Sequence, residues 1–368
     1  MITVIGAGPA GLATAAMLRR AGEEAVVLER GEIGGAWTMR YDRLRLHTVR
    51  RLSGLPGYPM PRSSGKWPAR DDVAEYLRRY AAHHGLEVRT GVEVARVERA
   101  ADGWTVVTQS GALASERVVV ATGLNNVPYF PSWPGEFPGE LVHSGSYRSA
   151  APYRGRRVLV VGSGNSGAEI AAELAETGAQ EVLLSVRTQP AIVRRDTLGV
   201  PSQLLGIAST RLPTGVVDRI AAGIRRVAIP DLAPFGLIPP ERPYSDFLRR
   251  RVIPIVDVGV VDAVRTGRVR VVGALERFEN GAAVLAGDER VEPDAIVAAT
   301  GFRTGLEPLV GHLGVLDERG QPVVRDVDEP PGARGLHFVG FEVTLGGTIR
   351  LVGHEAERLA RTVAAARG

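Results

Sequence analysis

The chain contains one glycine-rich segment twice, and this repeat constrains its fold more than any other feature. Each copy consists of a short apolar run, three glycines spaced as Gly-x-Gly-x-x-Gly, and a helix pattern. The glycines are Gly6, Gly8 and Gly11 in the first copy and Gly162, Gly164 and Gly167 in the second. Apolar runs that end in such turns and lead into helices are typical of buried parallel strands in βαβ units. The repeat therefore predicts two nucleotide-binding folds that arose by internal duplication.

Further strands extend each copy of the repeat. A second strand is predicted after each helix, at 24–29 and 181–186, and two other apolar runs end in Ala-Thr-Gly, at 121–123 and 299–301. Strands that alternate with helices in this way indicate parallel sheets covered by helices. We therefore expect an α/β protein with two doubly wound, three-layer ββα domains of the Rossmann type.

The order of the motifs predicts how the two domains share the chain. The predicted first domain is discontinuous, 1–150 plus 295–368, and the predicted second domain, 151–294, is inserted into it. A closing helix is expected at about 353–366. The stretch 188–252 contains eight prolines, so it is expected to lack regular elements and to form part of the substrate side of a cleft.

Composition excludes several classes of protein. The chain has no cysteine, so it cannot form disulfides or thiolate metal sites, and it cannot perform the dithiol chemistry of the disulfide reductases. Its 45 basic residues balance 41 acidic ones, and aromatic residues are only 5% of the chain. We interpret the basic residues as a solvated surface and expect no nucleic-acid partner.

Nothing in the sequence predicts a membrane segment. No uncharged apolar run reaches the roughly 18 residues that a membrane span requires. The first residues lack the basic leader of a signal peptide, and they are interrupted by Gly-Pro. We therefore expect a soluble cytoplasmic protein.

The first glycine turn is followed by an acidic residue that suits a nucleotide. Glu29 stands 18 residues after Gly11, at the end of the predicted second strand. The N-terminus of a helix attracts phosphates, and a carboxylate in this place accepts hydrogen bonds from ribose hydroxyls. The first site therefore predicts a nucleotide with an unmodified ribose, such as FAD. The alternative is that Glu29 is only a solvated acid at a strand end.

The second glycine turn lacks this carboxylate. The same offset from Gly167 reaches Ser185, and Arg187 follows two residues later. A carboxylate repels a 2′-phosphate, whereas a hydroxyl and a guanidinium can bind one. The second site therefore predicts NADPH, with a plain surface arginine as the alternative for Arg187.

Several further motifs resemble one family. The segment 34–37, Gly-Gly-Ala-Trp, could wall the isoalloxazine ring or form a turn with a core tryptophan, and 41–47 follows it. The segment 137–147 reads Phe-x-Gly-x-x-x-His-x-x-x-Tyr, just before the second glycine turn. Together with the segments 254–259 and 299–302, these motifs resemble the flavin-containing monooxygenases, and most closely their YUCCA-like branch. The matches run in the expected order from Gly6 to about Gly340.

The resemblance implies an FAD-dependent, NADPH-consuming monooxygenase. In that family NADPH reduces FAD, the flavin captures O₂ as a C4a-hydroperoxide, and one oxygen atom passes to a small organic substrate. The family's substrates are nitrogen or sulfur nucleophiles and α-keto acids such as indole-3-pyruvate. The alternatives left open are a flavin oxidase or reductase that releases hydrogen peroxide, a Baeyer–Villiger enzyme, and a non-catalytic redox-sensing module.

The resemblance also implies roles for single residues. His143 is expected to help position the nicotinamide, although an architectural role is the alternative. Tyr147 stands where Baeyer–Villiger enzymes carry tryptophan, and His47 stands where many flavin-containing monooxygenases carry asparagine. The tail after Gly340 departs from the YUCCA pattern.

The candidate residues fall into two groups, and no histidine or carboxylate cluster has the spacing of a metal site. The predicted catalytic residues are His143, His47 and Tyr147. The predicted cofactor-binding residues are Gly6, Gly8, Pro9, Ala10, Gly11, Glu29, Arg30, Gly34, Gly35, Ala36, Trp37, His47, Thr122, Gly123, Asn125, Gly162, Gly164, Asn165, Ser166, Gly167, Ser185, Arg187, Thr300, Gly301 and Gly340.

Overall fold

The computed structural model describes most of the chain. The described residues are 1–197, 199–209, 212–240, 243, 245–246, 253–324, 327–344 and 346–366. Their helices are α1 (Pro9–Arg20), α2 (Gly35–Thr38), α3 (Arg70–His83), α4 (Asn165–Thr177), α5 (Ser202–Ser209), α6 (Thr214–Ala228), α7 (Val260–Arg265), α8 (Glu307–Val310) and α9 (Thr348–Ala365).

Most strands have five residues or fewer. In chain order they are β1 (Ile2–Ile5), β2 (Ala25–Leu28), β3 (Glu87–Arg89), β4 (Val94–Ala100), β5 (Gly103–Thr108), β6 (Gly111–Ser115), β7 (Arg117–Val120), β8 (Val127–Pro128), β9 (Glu140–His143), β10 (Arg157–Val161), β11 (Glu181–Ser185), β12 (Ile192–Arg194), β13 (Asp196–Thr197), β14 (Val200–Pro201), β15 (Ile255–Asp257), β16 (Arg270–Val272), β17 (Leu275–Glu279), β18 (Ala282–Leu285), β19 (Arg290–Val291), β20 (Ala295–Ala298), β21 (Phe302–Arg303) and β22 (Leu336–Phe338).

The chain forms two compact units, and both are discontinuous. The first unit comprises Met1–Met39, Leu44–Val127 and Phe302–Gly368, and the second comprises Arg40–Arg43 and Pro128–Gly301. The predicted boundaries at 150 and 295 are therefore wrong. The reason is strand pairing, because β20 pairs with β10 and β9 pairs with β20, so both strands belong to the second sheet.

The first unit is built on a parallel sheet of the order β22-β7-β1-β2-β3. Neighbouring strands run parallel throughout, and the side chains of β1 are buried on both faces. The helices α1 and α9 pack against each other, and their buried faces belong to the same core. A three-stranded antiparallel sheet, β4-β5-β6, joins the unit before β7.

The second unit repeats this plan with different connections. Its parallel sheet has the order β16-β11-β10-β20-β9, and a three-stranded antiparallel sheet, β17-β18-β19, precedes β20. Read from the glycine-turn strand, the neighbours correspond: β1 to β10, β2 to β11, β3 to β16, β7 to β20, and β22 to β9. The predicted α/β fold class with two Rossmann-like units is confirmed.

Two local predictions fail. The stretch 188–252 contains regular elements, namely β12, β13, β14, α5 and α6, although Leu198 and parts of 210–252 lie outside the described residues. Two of its prolines stand at element ends, since Pro201 ends β14 and Pro213 immediately precedes α6. The closing helix begins at Thr348, five residues earlier than predicted, because Gly353 lies within it and the helix pattern extends before that glycine. Among the described residues no helix is both long and apolar enough to span a lipid bilayer.

Candidate functional site

The first glycine turn joins β1 to α1 at the carboxyl edge of the first sheet. A Cβ atom on Gly11 would overlap the carbonyl oxygen of Gly6, so only glycine allows the helix to start this close to the strand. Gly6 has φ 108°, and a Cβ on it would lie 2.7 Å from the carbonyl oxygen of Ala121. By contrast, a Cβ on Gly8 would meet no atom within 4 Å. Gly8 thus leaves open space in front of the first turn of α1, whose N–H groups have no acceptor within the helix.

Glu29 reaches back to this turn from the end of β2. Its Oε2 accepts a hydrogen bond from the N–H of Ala7 at 2.7 Å, and its Oε1 accepts one from the N–H of Gly31 at 2.9 Å. Each carboxylate oxygen can accept a further bond, so Glu29 remains able to bind hydroxyl groups. Next to it, Arg30 donates to the side-chain oxygen of Asn126 at 2.7 Å.

Two further chain segments end at the same edge of the sheet. After β7, Thr122 and Gly123 form the first Ala-Thr-Gly turn, and Asn125 is exposed just beyond it. The hydroxyl oxygen of Thr122 is buried and has no hydrogen-bond partner in the described part of the chain. After β22, Gly340 has φ 86°, and a Cβ on it would lie 2.8 Å from the Cβ of Ala10. The turn after β22 therefore lies directly against the start of α1, where Pro9 is the first helical residue.

The other candidates of the first unit lie between β2 and α3. Gly34 has φ 73°, and a Cβ there would lie 3.1 Å from the backbone of Ala74 in α3. Gly35 begins the short helix α2, in which Ala36 is exposed and Trp37 packs half-buried against the core. His47 is half-buried in the irregular segment that follows.

The second glycine turn repeats the sterics of the first. A Cβ on Gly167 would overlap the carbonyl oxygen of Gly162, and a Cβ on Gly164 would meet nothing within 4 Å. Asn165, the first residue of α4, is held by β15: its side chain donates to the carbonyl oxygen of Pro254 at 3.1 Å and accepts from the N–H of Val256 at 2.7 Å. The segment 254–259 thus orients the start of α4.

The structure corrects the prediction for Ser185. In the register of the sheet Ser185 pairs with Val161, as Leu28 pairs with Ile5 in the first unit. The residue in the place of Glu29 is therefore Val186, because α4 is one residue longer than α1. Ser185 is buried, and its hydroxyl donates to the carbonyl oxygen of Gly273 at 2.9 Å and accepts from the N–H of Leu275 at 3.1 Å. These bonds tie β11 to the segment after β16, and the structure does not support the predicted role of Ser185 as a nucleotide ligand.

The two sites still differ in the charge beside the glycine turn. Val186 is neutral, so no carboxylate occupies the place that Glu29 takes in the first unit. Arg187 follows directly and is exposed at the edge of the sheet. The second site is therefore open to an anionic group beside the ribose.

His143 ends β9 and is fixed by two hydrogen bonds. Its Nδ1 accepts from the N–H of Gly145 at 3.0 Å, and its Nε2 therefore carries the proton that is shared with the carbonyl oxygen of Gly301 at 2.9 Å. Only 3% of the side chain is exposed, and burial lowers its pKa below the ordinary value. His143 is a neutral tie between β9 and the Ala-Thr-Gly turn of Thr300 and Gly301. This geometry does not support the predicted catalytic role, since neither ring nitrogen is available to a substrate.

Tyr147 is likewise an internal residue. Its ring stacks on Tyr153 with centroids 5.7 Å apart, and its hydroxyl donates to Oε2 of Glu173 in α4 at 3.0 Å. Burial raises its pKa, and the charge of Glu173 raises it further. The side chain is 2% exposed, so its predicted catalytic role is not supported by the structure.

Sequence reasoning missed the residues that hold these turns in place. Tyr41 is buried and packs edge to face on Tyr147, and burial, together with the nearby charge of Glu169 in α4, raises its pKa. Glu355 of α9 is buried, and its Oε2 accepts from the N–H of Gly340 at 2.8 Å. A glutamate on the apolar face of a closing helix was a usable signal for Glu355. Nothing local in the sequence links Tyr41 to α4, which begins more than 120 residues later.

The comparisons with known proteins place the chain in a family. Residues 3–203 match the family model described as pyridine nucleotide-disulphide oxidoreductase. The indole-3-pyruvate monooxygenase YUCCA1 of Oryza sativa subsp. japonica is 34% identical over an alignment of 351 positions, which covers 92% of this chain and 86% of the relative. The indole-3-pyruvate monooxygenase YUCCA8 of Oryza sativa subsp. indica is 34% identical over an alignment of 388 positions, gaps included, which covers 98% of this chain and 90% of the relative.

The chain belongs to the YUCCA-type flavin monooxygenases. The solved structure of a flavin-containing monooxygenase from Stenotrophomonas maltophilia is 27% identical to it, with a TM-score of 0.76 and coverage of 100% of this chain and 98% of that one. The predicted family and the predicted enzyme class, a flavin-dependent monooxygenase, are confirmed. The family model's name refers to disulfides, but a flavin monooxygenase without cysteine performs no dithiol chemistry.

Both glycine turns of this flavin monooxygenase have the space and the backbone N–H groups that a dinucleotide needs. In each unit the middle glycine faces open space at the start of a helix of at least 12 residues. In the first unit the unpartnered hydroxyl of Thr122 adds a buried polar atom to the same edge, among the described residues. Pyrophosphates bind where backbone N–H groups at a helix N-terminus can donate hydrogen bonds to them and a glycine lets them come close.

Proposed function

We propose that the first unit binds FAD, that the second unit binds NADPH, and that the enzyme transfers one oxygen atom of O₂ to a small α-keto acid. The observation that carries this proposal is the pair of complete glycine turns, of which only the first is accompanied by a carboxylate. When bound, FAD and NADPH supply the electrons and the oxygen chemistry, and the protein supplies binding, orientation and exclusion of water.

In the FAD site the polar groups at the carboxyl edge of the first sheet have distinct roles. The open first turn of α1, beyond Gly8, takes the pyrophosphate, and Glu29 accepts the ribose hydroxyls. Thr122 offers its hydroxyl to the same nucleotide. The half-buried Trp37 is placed to wall a flat ring, with Gly34 and Gly35 allowing close approach.

In the NADPH site the first turn of α4, beyond Gly164, takes the pyrophosphate. Arg187 binds the 2′-phosphate, which no carboxylate opposes because Val186 stands in the place of Glu29. His143 takes no part in proton transfer, because both of its ring nitrogens are bonded to the backbone. It fixes the turn of Gly301, which lies at the edge of the second sheet where the nucleotide binds.

The α-keto acid is proposed from the family, since indole-3-pyruvate is the substrate named for both rice relatives. In the balanced reaction one α-keto acid, one O₂ and one NADPH with a proton give the shortened carboxylic acid, CO₂, water and NADP⁺. One oxygen atom enters the acid, and the bond between the two carbonyl carbons breaks. Soft sulfur and nitrogen nucleophiles are the other substrate class to be tested.

The decisive experiment counts products per NADPH. Purified, FAD-loaded enzyme is mixed with NADPH and O₂, first alone, then with indole-3-pyruvate, then with methyl phenyl sulfide. The proposal expects close to one indole-3-acetic acid per NADPH with little peroxide, and a higher rate of NADPH oxidation with substrate than without. One peroxide per NADPH whatever substrate is offered would instead identify an oxidase. A sulfoxide product without any acid would retain the monooxygenase and reject the α-keto acid.

The cytoplasmic location that the sequence suggested stays a prediction. We propose it on the use of NADPH, which is a cytoplasmic reductant. Fractionation of the native cells, with the enzyme followed by antibody, is the measurement that tests it.

A further inference from the structure

A buried carboxylate without an assigned role lies at the end of β15. Only 3% of the Asp257 side chain is exposed. Its Oδ1 accepts hydrogen bonds from the N–H of Gly259 at 3.0 Å and from the N–H of Val261 at 3.1 Å. Its Oδ2 pairs at 3.3 Å with the guanidinium of Arg194, which stands opposite it in the neighbouring strand β12. Both oxygens of this carboxylate therefore hold other parts of the second unit in place.

The bonds of Asp257 fix the turn between β15 and α7, and this turn lies against α4. Gly259 has φ 132°, and a Cβ on it would lie 3.3 Å from Oε1 of Glu176 and 3.7 Å from the Cβ of Ala172, both in α4. Val261 stands in the first turn of α7, where an N–H has no acceptor within the helix. The Asp257 carboxylate therefore holds strand, turn and helix together as one support along α4.

The same support holds the start of α4 through Asn165. The side-chain nitrogen of Asn165 donates to the carbonyl oxygen of Pro254, and its side-chain oxygen accepts from the N–H of Val256 in β15. In the first unit the corresponding first helical residue is Pro9, whose ring fixes its own φ in the helical range. The second unit has no such ring at this position, so the bonds of Asn165 to β15 orient the first turn instead.

We propose that Asp257 is a positioning residue for the pyrophosphate of the nicotinamide nucleotide, and that it acts through Asn165 rather than by contact. Asp257 holds β15, β15 holds the side chain of Asn165, and Asn165 orients the first turn of α4, whose N–H groups meet the phosphates. This inference rests on the proposed NADPH site. It separates Asp257 from Arg187, which is assigned to the 2′-phosphate alone.

The two nicotinamide nucleotides distinguish these roles. NADP⁺ and NAD⁺ share the pyrophosphate and differ in the 2′-phosphate, so Asp257→Ala should weaken both nucleotides by the same factor. Loss of the hydrogen bonding that orders a binding turn corresponds to about a threefold to tenfold rise in each Kd. Asn165→Ala should have the same effect, because it removes both bonds to the support. Arg187→Ala should weaken NADP⁺ only.

Asp294 provides the matched control in the same unit. Its carboxylate also serves a backbone group and an arginine, since it accepts from the N–H of Arg157 at 2.7 Å and from the guanidinium of Arg157 at 3.1 Å. Arg157 begins β10, whereas the second glycine turn follows the other end of that strand. Asp294→Ala should therefore lower the stability of the second unit and leave both Kd values unchanged.

The test measures the Kd of NADP⁺ and NAD⁺ by calorimetry on FAD-loaded protein without turnover, together with thermal unfolding of each variant. The double variant Asp257→Ala/Asn165→Ala should match Asn165→Ala in both Kd values, because Asp257 acts through Asn165. Lower thermal stability with unchanged Kd values in Asp257→Ala would overturn the inference. So would an equal rise in Asp294→Ala, or a further rise in the double variant.

A milder substitution covers the case in which Asp257→Ala does not fold. In Asp257→Asn the side-chain oxygen can still accept from Gly259 and Val261, but the amide carries no charge to pair with Arg194. Both Kd values must then rise together in Asp257→Asn, and unchanged values reject the inference. Normal binding of NADP⁺ by the wild type with no effect of Asp257 would reject only the positioning role. A wild-type protein that binds neither nucleotide would reject the proposed NADPH site itself.

Discussion

At the scale of single residues, the three glycines of each turn have different physical tasks. Gly11 and Gly167 are required by contacts inside the protein, because a Cβ atom would overlap the preceding turn. Gly8 and Gly164 are not required by any internal contact, since a Cβ atom would meet nothing within 4 Å. Folding and ligand binding therefore depend on different glycines of one motif.

This difference predicts opposite outcomes for two substitutions. Gly8→Val should fold with nearly unchanged stability but lose FAD, because its side chain occupies the space in front of α1. Gly11→Ala should lower the free energy of unfolding by about 1–3 kcal/mol through overpacking, whether or not FAD is present. Flavin absorbance after purification and thermal unfolding of the apoprotein measure the two effects. Full FAD content in Gly8→Val would show that the flavin binds elsewhere.

A second prediction for a single residue concerns the nucleotide preference set by Arg187. Arg187→Ala removes a charge-assisted contact worth about 1.5–3 kcal/mol, so the KM for NADPH should rise roughly tenfold to a hundredfold while that for NADH changes little. The exposed Arg268, on the loop before β16, provides a matched arginine-to-alanine control. Equal losses for NADPH and NADH in Arg187→Ala would show that this arginine does not recognise the 2′-phosphate.

At the scale of elements, single side chains connect the turns at the carboxyl ends of the strands to neighbouring elements. In the second unit His143 joins the end of β9 to the turn after β20. In the first unit Glu355 of α9 joins that helix to the turn after β22. Both ties are buried, so removing either side chain leaves a backbone group without its partner.

His143→Ala should destabilise the second unit without releasing FAD. Gly301 and Gly145 each lose a partly buried hydrogen bond, which costs about 1 kcal/mol per bond. Because the turn of Gly301 then loosens, we also expect more peroxide and less product per NADPH. Thermal unfolding, flavin content and product counts measure these effects, with the exposed His312→Ala as control. Wild-type stability and product yield in His143→Ala would contradict the role as a tie.

At the scale of the whole molecule, buried ionisable groups set how stability depends on pH. Burial lowers the pKa of His84, His143 and His337. A histidine of this kind stabilises the fold above its unfolded pKa, near 6.5, and that contribution is lost as the pH falls through the lowered value. Burial raises the pKa of Glu173 and Glu355. For these the sign is opposite, because their contribution is fullest below about 4.5 and is lost as the pH rises through the raised value.

Glu355→Gln tests the pH dependence expected for a buried glutamate. Glutamine can still accept the hydrogen bond of Gly340, but it carries no buried charge. The variant should therefore be more stable than the wild type at pH 8, and this advantage should vanish towards pH 4, where Glu355 is neutral. Glu355→Ala, which leaves the N–H of Gly340 without its acceptor, should be less stable at both pH values. Denaturant unfolding at the two pH values gives the comparison, and a less stable Glu355→Gln at pH 8 would contradict the argument.

The sequence by itself determined the two glycine turns, the two parallel sheets and the family, because these depend on local sterics and on short apolar runs. Glycine spacing and strand patterning are properties of 20 or 30 neighbouring residues, so they can be recognised without the rest of the chain. The acidic Glu29 in one turn, and the lack of a carboxylate in the other, were also predicted correctly.

Only the tertiary structure decided what depends on distant pairing. A helix longer by one residue moves Ser185 into the sheet and brings Val186 to the place of Glu29. The pairing of β20 with β10 moves the domain boundary to 301, and the packing of Tyr41 on Tyr147 joins segments more than 100 residues apart. The predicted chemistry of His143 and Tyr147 is not supported for the same reason: their hydrogen bonds go to Gly301 and Glu173, partners that no local pattern specifies. Strand register and buried hydrogen bonds are settled between remote segments, so only the folded chain could fix them.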